Sequence, residues 1–69
     1  MTTTLGESLP AEMARVRDQV MPAYIKIGSP GAMALAFMRA DLDRAAKAMA
    51  EGDLPAMIRA YESLRGWES

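Results

Sequence analysis

The 69-residue sequence contains no cysteine and no histidine. Those absences remove disulfides, the two best zinc ligand types, and any catalysis built on a thiolate or an imidazole. Neither sign of charge is in useful excess: eight lysines and arginines face nine acids, for a formal net charge of −1. A protein that holds a phosphate backbone needs a cationic surplus, and none exists here. Long apolar runs are missing too. The longest, Gly31 to Met38, covers eight residues, whereas a membrane-crossing helix needs ~20. The opening Met1-Thr2-Thr3-Thr4-Leu5-Gly6-Glu7 has neither the basic nor the apolar stretch of a secretory signal. The expectation is a soluble, cytoplasmic protein with no membrane contact.

What is present is hydrophobic mass, 51% of residues, in a chain short enough for only one domain. A chain of this size buries only about 60% of its unfolded surface, so packing alone must stabilise it.

Three segments open with the same local chemistry. Ser8-Leu9-Pro10, Ser29-Pro30 and Asp53-Leu54-Pro55 each set a capping oxygen just ahead of a proline. A cap accepts a hydrogen bond from an orphan amide of the first turn, and proline has no amide to leave unpaired. Gly28, Gly52 and Gly66 supply the matching stops, each able to adopt the left-handed conformation that ends a helix. The expected fold is all-α: one compact domain over residues 1–69 with helices at about 9–27, 30–51 and 54–65, preceded by a frayed tail over residues 1–7. Pro22 interrupts the first helix by removing the bond to the carbonyl of Asp18, so that helix either kinks or splits near Val20.

The apolar positions assign the faces. Leu9, Met13, Val16, Val20, Ala23, Tyr24 and Ile27 form one stripe on the first helix. Leu54, Met57, Ile58, Tyr61 and Leu64 form another on the third. The central helix is different. Its main row is Leu35, Met38, Leu42, Ala45 and Met49, yet Met33 and Phe37 fall on roughly the opposite side at ~100° per residue. A helix that is apolar nearly all round must be covered on more than one side. Either its own chain wraps it completely, or Met33 and Phe37 belong to a surface that meets a partner. Alanines along this helix, Ala40 among them, permit close helix–helix approach. Trp67, beyond the last glycine, either folds back on the core or stands out as an interface anchor, a role in which tryptophan is enriched. Met33, Phe37, Ala40 and Trp67 are therefore the candidate interface residues.

Catalytic chemistry finds no footing. Asp41 and Asp43 look paired but lie about 200° apart on a helix, so they cannot converge as acid and base. Asp43 sits four residues from both Arg39 and Lys47, and Lys47 four from Glu51, the spacing of a solvated charge ladder. Gly28-Ser29-Pro30-Gly31 outlines an anion nest, but Pro30 deletes an amide and no phosphate-loop Gly-Lys follows. A chain this short also has little material to enclose a pocket of ~300 Å³. No catalytic residue, cofactor or metal site is expected.

Ala48, Gly52, Ile58 and Tyr61 match a helix-turn-helix at the usual spacing, but Lys47, Glu51 and Asp53 occupy positions that the pattern wants apolar. Its recognition helix would offer only Arg59 and Arg65 as cations, beside Glu62. The reading is a non-enzymatic protein that binds another protein as adaptor, regulator or inhibitor, and associates with itself as a homodimer through the second helix. A small DNA-binding regulator of helix-turn-helix type is the alternative.

Overall fold

The computed structural model describes residues 4–68. Four α-helices follow in order: α1 (Leu5–Arg15), α2 (Met21–Ile27), α3 (Ala32–Glu51) and α4 (Leu54–Arg65). A π-helical stretch, Val16–Val20, joins α1 to α2 without a break, and a 3₁₀ turn, Ser29–Gly31, leads into α3. The α1–α2 unit is thus one long helix with a wide turn in its middle, and the chain forms the three expected helical rods.

The wide turn lies just ahead of Pro22. There the amide of Met21 reaches back to the carbonyl of Val16, one residue further than in an α-helix. A π segment of this kind absorbs a misfit in the hydrogen-bond ladder without ending the helix. Of the two outcomes that Pro22 allows, the helix has bent through rather than split. Val16 and Val20, at the two ends of this turn, are both fully buried.

The helix starts differ in detail from the sequence pattern. α1 begins at Leu5, because the Thr4 carbonyl accepts from the amides of Glu7 and Ser8 at 3.0 and 2.8 Å. Leu5–Glu7 is therefore helical rather than frayed, and residues 1–3 of the expected tail lie outside the described residues. Ser8 is not a cap, and Pro10 sits inside the helix. Ser29 makes no side-chain cap bond either. Asp53 does cap: its Oδ1 accepts from the Ala56 amide at 3.2 Å. Among the stops, Gly28 and Gly52 have φ of 84° and 65°, while Gly66 stays right-handed at −72°. Gly52 supplies the left-handed residue of the tight turn that reverses the chain from α3 into α4.

Gly31 has a separate job. A Cβ there would lie 2.6 Å from the Tyr24 carbonyl oxygen, so only glycine lets the start of α3 approach α2. Its amide is bonded to the Gly28 carbonyl at 2.9 Å. The segment that outlines an anion nest in the sequence is a close-packed turn.

One core joins the rods. Leu9, Val16 and Val20 meet Leu35, Met38, Ala45 and Ala48 of α3 and Met57, Ala60 and Leu64 of α4. On α4 the buried row centres on Ala60, and Leu54 and Ile58 of the expected stripe are 59% and 47% exposed. Ile27, at the end of the first stripe, is exposed as well. Three helical rods that share one small core each keep a face in water.

Candidate functional site: the outer face of α3

α3 touches each of the other helices, and its residues sort by direction. Met38, Asp41, Ala45 and Ala48 follow one another at spacings of three and four on its buried side. Asp41 is the one charged residue among the buried described residues, 4% exposed. A carboxylate in such a place costs several kcal/mol unless its oxygens are hydrogen-bonded and its charge is paired. Both conditions are met. The Ser63 hydroxyl and the Trp67 indole Nε1 donate to Oδ2 at 2.9 and 2.8 Å, and the Arg44 guanidinium pairs with Oδ1.

A second tie reinforces the first. Arg15, held by Glu12 at 3.1 Å, donates from one nitrogen to the carbonyls of Leu64 and Trp67 at 3.1 and 2.9 Å. The last carbonyls of a helix have no partner within it, and here a guanidinium from α1 reaches one of them, Leu64, and the Trp67 carbonyl just beyond the helix. The Trp67 ring meets Tyr24 edge to face at 6.4 Å between centroids, a favoured aromatic geometry. The C-terminal end of α4 is thus fastened to α1, α2 and α3 together. Trp67 is half-buried on its own chain's core.

About 100° round from that buried side, α3 carries Met33, Phe37, Ala40, Arg44, Lys47 and Glu51 at intervals of four and three, a single stripe along the helix. Its two halves differ. In the N-terminal half, Met33 is 72% and Phe37 56% exposed, and Ala40 is partly exposed. The cause is a mismatch of length. α3 has 20 residues and α4 has 12, about 30 and 18 Å. Ser63 lies level with Asp41 through their hydrogen bond, and α4 ends at Arg65, so the first turns of α3 project beyond it. Complete wrapping of the central helix by its own chain does not occur.

In the C-terminal half, the stripe borders a partly open groove between α3 and α4 with a volume of about 420 Å³. Its floor is lined by Ala48, Ala56, Ala60 and Ser63. Arg44, Lys47 and Arg59 stand along it, with Glu51 at one end. The groove was not legible in the sequence and exceeds the expected pocket volume, because two parallel-lying helices with alanine flanks leave a trough without needing to enclose it.

The expected charge ladder on α3 does not form. Among the described residues the ion pairs are Glu12–Arg15, Arg17–Asp18 and Asp41–Arg44, and Arg39, Asp43, Lys47 and Glu51 take part in none. A pair of this spacing returns only ~0.2–0.5 kcal/mol against the entropy of ordering two long side chains. At the exposed Arg17–Asp18 pair, the hydrogen bond from the guanidinium holds the Asp18 carboxyl below its ordinary range. Among the described residues there is no grouping of three or more potential metal-ligating acids, and no helix is long and apolar enough to cross a membrane.

Of the four candidate interface residues, α3 places Met33, Phe37 and Ala40 on one outward stripe, and Trp67 lies apart with its indole bonded to Asp41. No family model, curated protein or solved structure matches this chain.

Proposed function

We propose that this chain is a small non-enzymatic protein that acts by binding protein, and that it joins a second copy of itself through the N-terminal half of α3. The observation that supports this most is the exposure of Met33 and Phe37 one turn apart on a rigid helix, beside Ala40. Fully burying such side chains contributes about 1.5–3 kcal/mol each, and in a two-fold dimer every contact is made twice. Ala40 next to them lets two α3 helices approach near the lower end of the ~8–10 Å range. Neither Met33 nor Phe37 takes part in the core, so their cost in water is not recovered by the chain alone. The cysteine-free composition goes with action in the reducing cytoplasm.

Of the two cations on α4 that the duplex-binding alternative would use, Arg59 lines the α3–α4 groove together with Glu51. Arg65 lies over the Tyr61 ring at 5.6 Å, and the neighbouring exposed side chains are Leu54, Ile58 and Glu62. Sedimentation velocity tests the proposal. The wild-type chain is expected to shift from monomer to dimer across the micromolar range, and Phe37→Glu to remain a folded monomer. A wild type that stays monomeric at high micromolar concentration contradicts it.

A further inference from the structure

The α3–α4 groove is a different surface from the Met33–Phe37 ledge and stands on its own observations. In its floor Ala56 is half-exposed, Ala48 and Ala60 lie beneath as members of the core, and Ser63 lines it as well, so no side chain there is bulky. Small residues at such a position let the backbone of a third helix come close. Along the edges stand three cations, Arg44, Lys47 and Arg59, against the single acid Glu51, in a chain whose net charge is −1. Arg44 is paired with Asp41, but neither Lys47 nor Arg59 takes part in an ion pair among the described residues. Arg44 to Glu51 spans seven steps of helix, about 10 Å, or two turns.

From this combination we infer that the groove is the docking site for an acidic amphipathic helix of a separate partner protein. Such a helix lays a small-residue or apolar face on the alanine floor, the helix-in-groove mode of recognition. It presents two carboxylates, three or four residues apart and so on one side, to Lys47 and Arg59. Glu51 repels an acid at its end of the groove, which fixes the direction in which the segment lies.

Two other occupants fit less well. A nucleic-acid backbone would meet Glu51 among the cations and would leave the alanine floor without an apolar partner. A second copy of this chain could offer a stripe of Glu7, Ala11 and Ala14 on α1, continued by Asp18 in the π-helical stretch. There, however, Asp18 is already bonded to Arg17 at 3.0 Å, leaving Glu7 as the only unpaired carboxylate of that stripe.

The test uses the full chain and a labelled, capped helix of about 18 residues with alanine and leucine on one face and flanking glutamates, a length at which helices persist in water. Fluorescence anisotropy is expected to show micromolar-range binding at about 20 mM salt, weakened at least about tenfold at about 200 mM. The double variant Lys47→Glu, Arg59→Glu should lose at least about tenfold in affinity while keeping its circular dichroism, since both side chains are exposed. Phe37→Glu should bind as the wild type does, which separates this site from the self-association surface. The inference is overturned if the glutamate helix does not bind, or if a lysine-for-glutamate version binds equally. Duplex DNA bound in preference, and lost in the same double variant, would reassign the groove to nucleic acid. Self-association abolished by Glu7→Lys would reassign it to a second copy.

Discussion

Along α3, the C-terminal half lies beside α4 and is tied to it through Asp41, whereas the N-terminal half projects past the end of α4 and holds Met33 and Phe37 in water. Residue type runs opposite to the usual rule. A carboxylate is buried, and a phenylalanine and a methionine are exposed. The difference shows how three helical rods of unequal length share one core. Where two helices overlap, even a charge can be enclosed, provided that every oxygen finds a donor. Where one helix outruns its neighbour, the apolar surface stays open whatever its hydrophobicity.

Removing the buried group should have the largest effect. Asp41→Ala strips three partners at once and leaves the Trp67 indole and Ser63 hydroxyl without their acceptor. It is expected to cost about 3 kcal/mol and to lower Tm by more than about 10 °C, measured by circular dichroism. If Tm does not move, Asp41 is not the fastening point. Gly31→Ala follows, since its Cβ would press on the Tyr24 carbonyl. A loss of about 2 kcal/mol in chemical denaturation is expected, and an unchanged midpoint would show that α2 and α3 are not held that closely.

Much of this frame was readable from the chain. Asp53 and Pro55 mark the start of α4, Gly52 marks the turn before it, and the alanine-rich stretch between prolines leaves no room for a strand. Met33 and Phe37 declared themselves because two bulky apolar residues one turn apart sat opposite the main row. Asp41 did not, although it falls between Met38 and Ala45 on that same row. An acid on a buried row is tolerable only if donors arrive from elsewhere, and Ser63 and Trp67 are more than 20 residues away in sequence. The groove escaped notice for a related reason. Ala48, Ala56 and Ala60 are ordinary helix formers individually, and only the hairpin brings them to one trough with Lys47 and Arg59 above it. The early start of α1 at Leu5 was hidden because Pro10 looks like a first-turn residue, while the Thr4 carbonyl had already begun the ladder.

Smaller perturbations sharpen the contrast between the two halves. Trp67→Phe keeps an aromatic ring against Tyr24 but deletes the Nε1 donor to Asp41. Ser63 and Arg44 remain, so a loss of about 1 kcal/mol is expected in urea titration. A loss as large as that of Asp41→Ala would mean that the indole, rather than the carboxylate, organises this end. Phe37→Glu should change the unfolding free energy of the monomer by less than about 0.5 kcal/mol, because the side chain lies outside the core. A large destabilisation of the monomer would place Phe37 in the fold instead of on the ledge.

The most direct measurement follows the two halves of α3 together by nuclear magnetic resonance on dilution from about 1 mM to about 10 µM, the range over which a micromolar dimer dissociates. The methyl signals of Met33 and Ala40 and the ring signals of Phe37 are expected to shift with concentration, while those of Ser63 and the Trp67 indole stay fixed. Spectra that do not change with concentration, or changes centred on Ser63 and Trp67, would contradict the assignment of the exposed half of α3 as the surface where two copies meet.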